Sequence, residues 1–205
     1  MRVVFATRNP AKLTELRRIL AAASLPGVEV CDLEDFPGAP EVAETGATFS
    51  ENALAKARAA AAFTGLPAIA DDSGLCVDAL NGMPGVLSAR WAGQHGDDGA
   101  NLRLLLDQLS DVPEERRGAH FACAAALVVP HGPGSSGFEH VAKASLHGHL
   151  AGVPRGTNGF GYDPIFVPEG ATLTTAQMSA AEKDKISHRG QALRALAPVL
   201  ATLLC

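Results

Sequence analysis

One segment constrains the fold more than any other. His120–Val129 reads as a buried strand, Pro130–Gly137 as a tight connection rich in proline and glycine, and Glu139–His147 as an antiparallel partner. The remaining strand-like runs are short and apolar: Val3–Ala6, Val28–Cys31, Ala68–Ala70 and Ile165–Val167. Helical patterns and loops separate them. Strands alternating with helices favour parallel pairing, whereas a hairpin forces antiparallel pairing. A chain with both predicts an α/β protein with a mixed sheet.

Local signals place the helices. Asn9 caps and Pro10 suits the first helical position, with helical spacing continuing to about Ala23 and ending at Pro26-Gly27. Thr48-x-x-Glu51 reads as a capping box opening an alanine-rich helix over Ser50–Phe63, closed by Gly65 and Pro67. Further helices are expected over Asp98–Leu109 and Ser187–Leu204. Phe36–Pro40, Asn81–Gly85 and Gly156–Gly161 read as loops. With no internal repeat and no long linker, the expectation is one domain over residues 1–205, built as two lobes.

Net charge is −5, which argues against a broad basic footprint for nucleic acid but leaves room for a local anion site. Only five lysines occur, at Lys12, Lys56, Lys143, Lys183 and Lys185, so each carries weight. The four cysteines are far apart without CxxC spacing, the pattern of reduced thiols. No signal peptide is recognisable. Phe121–Val129 and Ala195–Cys205 fall short of the roughly 20 apolar residues that a membrane span needs. A cytoplasmic protein with no membrane and no nucleic-acid partner is expected.

Five constellations could carry chemistry. Thr7-Arg8-Asn9-Pro10-Ala11-Lys12 falls where a strand hands over to a helix, and unpaired first-turn amides there attract anions. The same residues also read as an ordinary capped helix with a solvated lysine. Asp71-Asp72-Ser73-Gly74 follows an apolar strand, and two adjacent carboxylates repel unless a cation or proton offsets them. In extended backbone they point to opposite sides, so one of them faces a site. A hard cation such as Mg²⁺ suits carboxylates together with phosphate oxygens; a capping turn is the plainer reading. Asn52 and Lys56 share a helix face, with Glu44 in the loop feeding that helix. Gly159, Phe160, Gly161, Tyr162 and Asp163 lie in a glycine-rich loop where an aromatic ring could stack on a base or pack inward. Lys183, His188 and Arg189 supply donors, His188 reading as a ligand donor rather than a base.

In order and spacing these stretches resemble the inosine triphosphate pyrophosphatase family, including the bacterial dITP/XTP pyrophosphatases (the Ham1-like proteins). The resemblance runs from Val3 to about Leu196 and rests on seven stretches: Ala6–Lys12, Glu44–Gly46, Phe49–Arg58, Ala70–Gly74, Gly85–Arg90, Gly159–Pro164 and Ser187–Gly190. It implies an elongated mixed central sheet with helices in two lobes, a nucleotide cleft between them, and a homodimer. It also implies Mg²⁺-dependent cleavage of purine nucleoside triphosphates such as ITP, dITP and XTP to monophosphate and pyrophosphate, keeping these bases out of nucleic acid. Thr7 to Lys12 would hold the triphosphate. Asp72 would be general base or metal-organising carboxylate, with Glu44 binding Mg²⁺ and Lys56 beside the phosphates. Ser73 would touch the nucleotide, Phe160, Gly161, Tyr162 and Asp163 would enclose the base, and Lys183, His188 and Arg189 would read its edge. Asn158 and Gln177 depart from the family pattern without touching these positions. A Maf-like pyrophosphatase acting on pyrimidine or modified nucleotides is the alternative, and a silent nucleotide-binding module a further one.

Overall fold

The computed structural model describes residues 2–22, 28–132 and 137–203. Pro26-Gly27, residues 133–136 of the hairpin connection, and Leu204 with Cys205 lie outside the described residues. Six strands form one sheet: β1 (Arg2–Phe5), β2 (Glu29–Asp32), β3 (Ala68–Val77), β4 (Gly118–Val129), β5 (Phe138–Leu150) and β6 (Phe166–Pro168), in the order β2-β1-β3-β4-β5-β6. β1 runs parallel to both β2 and β3, and β5 pairs antiparallel with β6 through Gly148↔Pro168 and Leu150↔Phe166. The sheet is therefore mixed, and the α/β class holds. The helices are α1 (Pro10–Ala22), α2 (Phe49–Thr64), α3 (Asp98–Gln108), α4 (Ala180–Ile186) and α5 (His188–Thr202).

Local chemistry explains the helix ends. Asn9 Oδ1 accepts from Lys12 N at 3.1 Å, and Pro10 opens α1. Thr48 Oγ1 caps Glu51 N at 3.2 Å, but the Glu51 carboxylate bonds Ala47 N at 2.7 Å, so the expected box closes one residue early. Gly65 ends α2 in the left-handed conformation at φ 69°. The final helix expected from Ser187 is α5, which starts at His188, and a short α4 capped by Ser179 precedes it.

Two compact units divide the chain: Met1–Asp72 with Cys123–Ala144 and Arg189–Cys205, and Ser73–Ala122 with Ser145–His188. In the first unit the strands alternate strictly between two cores. Val3, Phe5, Ile69, Cys123, Ala125 and Leu127 pack with Ile19, Leu193 and Leu196, residues of α1 and α5. Val4, Ala6, Ala68, Ala70, Ala124 and Ala126 pack with Ala53, Ala57, Ala60 and Ala61 of α2. Alanine on both sides lets α2 approach the strands closely. The second unit has its own core of Leu75, Val77, Leu105, Leu109, Phe121, Leu150, Ile165 and Phe166. Fully burying each such Leu, Ile or Phe stabilises by about 1.5–3 kcal/mol.

Candidate active site

The alternation that builds the two cores also sorts the paired aspartates. β3 continues through Val77 rather than ending at Ala70, so Asp71 and Asp72 lie within a strand. Asp71 falls on the face of Ile69, toward α1 and α5; Asp72 falls on the face of Ala68 and Ala70, toward α2. Both carboxylates are buried. Ser73 is half-buried beside them. The strand persists through Gly74 because Ser88 and the Gly85 carbonyl pack where a Cβ would sit, and Ser88 Oγ accepts from Leu75 N at 2.9 Å.

On the α2 face, Asn52 Nδ2 donates to Asp72 Oδ2 at 2.9 Å. Lys56 Nζ lies 2.8 Å from Glu44 Oε1 and 3.6 Å from Asp72 Oδ1. Burial pushes Asp72 up from its ordinary value, and Glu44 adds to the rise against the opposing pull of Lys56. Lys56 is held above its ordinary value because Asp72, Asp71 and Glu44 together outweigh its burial.

On the opposite face, Asp71 Oδ2 meets Lys12 Nζ at 3.2 Å and Arg189 Nε at 3.0 Å, while Arg189 Nη1 bonds Glu15. Burial would raise Asp71, but Lys12, Arg189 and Lys56 hold it far below the usual carboxylate range. Neighbouring aspartates thus have their proton affinities driven apart, a fixed anion beside a carboxylate suited to accept a proton.

The amino-terminal seat is less rich in backbone donors than its sequence implies. Pro10 has no N–H, and that of Lys12 goes to Asn9 Oδ1. Thr7 Oγ1 accepts from Asn9 N at 3.2 Å, and Arg8 Nη2 donates to Ala39 O at 2.6 Å. Ala11 lies in the first turn of α1.

In the second unit, Asp163 organises the glycine-rich loop. Its carboxylate accepts from Phe160 N at 2.8 Å, Thr175 Oγ1 at 2.8 Å and Lys183 Nζ at 2.5 Å. Gly159, at φ 77°, sits where any side chain would strike that carboxylate. Lys183 Nζ lies 5.3 Å from the centroid of the half-buried Phe160 ring, a cation–π contact. Gly161 N donates to Asp98 Oδ2 at 2.8 Å. Tyr162 is buried with its hydroxyl donating to Ser88 O at 2.9 Å, and so braces the loop. The His188 ring is buried and stacks on Phe121, 4.9 Å between centroids with an 8° interplanar angle.

Arg189, expected to read a base edge, is buried, with Nε and Nη1 paired with Asp71 and Glu15. Tyr162 and Asp163, expected to enclose a base, are buried too, and Phe160 and Gly161 are the partly exposed members of the loop. Glu15 escaped sequence reasoning, because a glutamate within an ordinary amphipathic helix carries no mark of a partner 174 residues away. Asp98 and Ser88 escaped it likewise. Among the described residues no cluster of three or more His, Cys, Asp or Glu could hold a metal. Glu44 and Asp72 nonetheless meet at one ammonium, and Mg²⁺ is held by one or two carboxylates plus substrate phosphates. The donors fit that ion.

This fold is shared with solved structures. The chain belongs to the Ham1 family, whose family model matches residues 3–199. It is 59% identical over 203 residues to the dITP/XTP pyrophosphatase of Streptomyces coelicolor, covering 99% of this chain and 98% of that one. Among solved structures it is similar to the nucleoside-triphosphatase/dITP/XTP pyrophosphatase of Mycobacterium abscessus (56% identity, TM-score 0.77, 98% and 100% coverage). It is also similar to a HAM1 protein of Coxiella burnetii (40% identity, TM-score 0.85, 98% and 99% coverage).

Proposed function

We propose that this chain is a cytoplasmic, Mg²⁺-dependent pyrophosphatase that hydrolyses ITP, dITP and XTP to the monophosphate and pyrophosphate, keeping non-standard purines out of nucleic acid. Near-full-length identity to a protein of that name carries the substrate class. The Glu44–Lys56–Asp72 arrangement supports the chemistry.

Asp72 takes the proton of the attacking water as the phosphoanhydride P–O bond breaks and pyrophosphate leaves with the bonding electron pair. Lys56 keeps Glu44 and Asp72 together and offsets their charge. Glu44 and Asp72 would hold Mg²⁺, which when bound would neutralise phosphate charge and lower the pKa of water. Thr7, Arg8, Asn9, Pro10, Ala11 and Lys12 hold the triphosphate, with the Lys12 ammonium as its main positive group. Ser73 touches the nucleotide. Phe160 stacks on the base and Gly161 lies beside it, while Tyr162 and Asp163 hold this loop. Lys183 and His188 supply polar groups to the base. Arg189 acts indirectly, fixing Asp71 and so the Lys12 ammonium.

The reading is one domain over the whole chain, and it extends to a homodimer, which sedimentation would check. Among the described residues no helix is long and apolar enough to cross a membrane. The deciding experiment is pyrophosphate release from ITP, XTP, dITP, GTP and ATP, with and without Mg²⁺. Mg²⁺-dependent turnover of the first three alone is expected. Comparable turnover of all five, or none, would reject the substrate assignment.

A further inference from the structure

We propose that Asn52 is a positioning residue that sets the orientation of the Asp72 carboxylate and ties it to the loop carrying Glu44; its catalytic consequence rests on the functional reading above. An asparagine within a helix is unfavourable relative to alanine by up to about 0.7 kcal/mol. In α2 every other buried residue is alanine. Asn52 is only 1% exposed, so its amide requires partners on both sides. It has them. Nδ2 donates to Asp72 Oδ2 at 2.9 Å, and Oδ1 accepts from Gly46 N at 2.8 Å.

The amide therefore bridges β3 and the turn just after Glu44. One turn further along α2, Lys56 makes a parallel connection, meeting Glu44 Oε1 and Asp72 Oδ1. Each oxygen of Asp72 thus faces a different residue of one helix face, spaced four apart. Lys56 can swing on a long stem, but Asn52 is short and buried, so Asn52 fixes the rotation of the carboxylate. Gly46 shows how tightly this bridge is drawn. A Cβ there would lie 2.7 Å from Asn52 Oδ1 and 2.7 Å from Glu51 Cβ, so the loop can donate its amide only without a side chain.

A carboxylate held at one angle accepts a proton along a defined direction, and misplacement costs transition-state stabilisation more than ground-state binding. The test uses the wild type, Asn52→Ala, Asn52→Asp, Asp72→Asn and the Asn52→Ala/Asp72→Asn double variant, with kcat and KM for ITP at saturating Mg²⁺. Asn52→Asp keeps the volume and removes the donor. Both Asn52 variants should lose about 10–100-fold in kcat with KM within about threefold. On the Asp72→Asn background, Asn52→Ala should cost less than about twofold, because the residue it serves is gone. Equal losses on both backgrounds, or wild-type kcat in Asn52→Asp, would overturn the proposal.

Side-chain amide NMR of the metal-free protein gives a readout independent of turnover. The Asn52 amide pair, identified by its loss in Asn52→Ala or Asn52→Asp, should shift in Asp72→Ala; an unmoved pair would overturn the contact. A wild type without pyrophosphatase activity whose amide pair still shifts would reject the functional reading and uphold the bridge.

Discussion

At the scale of single residues, Asp71 and Asp72 differ only in which face of β3 they occupy, and that difference gives them different consequences when changed. On the proposed chemistry Asp72→Asn removes the proton acceptor and keeps an oxygen toward Lys56, while its amide nitrogen then faces the Asn52 Nδ2 donor. It should lower kcat by about 10²–10⁴-fold, the usual range for a lost general base, with a cooperative melting transition retained at a somewhat lower temperature. Retained turnover would move the role elsewhere. Arg189 gives the converse case. It is buried among Asp71 and Glu15, and Glu15 Oε1 is itself buried without a hydrogen-bond partner among the described residues. Arg189→Ala takes the buried guanidinium from Glu15 and leaves Asp71 to Lys12, and breaking a buried pair from one side costs about 3–5 kcal/mol. Urea denaturation should show that loss, and the folded fraction should keep its ITP-to-ATP ratio. A collapse of that ratio would return Arg189 to the base edge.

At the scale of elements, β4 and β5 place His120 and His147 in a stack, ring centroids 5.2 Å apart at 28°. Burial and then His147 lower the pKa of His120, and Asp78 opposes them weakly. A base with a depressed folded value stays neutral where its unfolded counterpart takes up a proton. Below the ordinary value of about 6.5 the unfolded state therefore binds more protons, and stability falls with pH until the folded value is reached. The melting temperature should drop more steeply from pH 7 to 5.5 in the wild type than in His120→Gln; parallel curves would remove His120 as the cause.

These strands also show what a sequence can reveal. Apolar runs and turn chemistry marked β1, β4, β5 and α2, because period and capping are local. The apolar run marks β3 only over Ala68–Ala70, with a capping turn as one reading of the aspartates after it, whereas the strand runs on through Gly74, which is small to admit Ser88 and the Gly85 carbonyl, distant in the chain. The glutamate for Arg189 was invisible for the same reason. Glu44, Lys56 and Asp72 were legible as a group through family resemblance, and Asn52 through its spacing from Lys56; that the four share one hydrogen-bonded cluster depends on packing of α2 against β3.

For the whole molecule, the relevant quantity is a net charge of −5 set against a polyanionic substrate. At least three of the five lysines are already engaged: Lys12 with Asp71, Lys56 with Glu44 and Asp72, and Lys183 with Asp163. An ion pair has little field beyond its own dimensions, so these lysines do not draw an anion from a distance, and the overall charge repels it. On the proposed Mg²⁺ chemistry, attraction would begin only at close range, where a divalent cation shared by carboxylate and phosphate would reverse the local sign. The Debye length is about 10 Å at 0.1 M salt, so added salt screens the repulsion while leaving short contacts nearly untouched. KM for ITP should therefore stay within about threefold, or improve, from 50 to 500 mM KCl at fixed free Mg²⁺. Binding through unpaired basic side chains would instead weaken steeply with salt, as phosphate contacts to a basic surface do. Steady-state kinetics across that range separates the two. A KM rising tenfold or more would mean that phosphate displaces the carboxylates from Lys12, Lys56 and Lys183, and that the lysines rather than the cation supply the attraction.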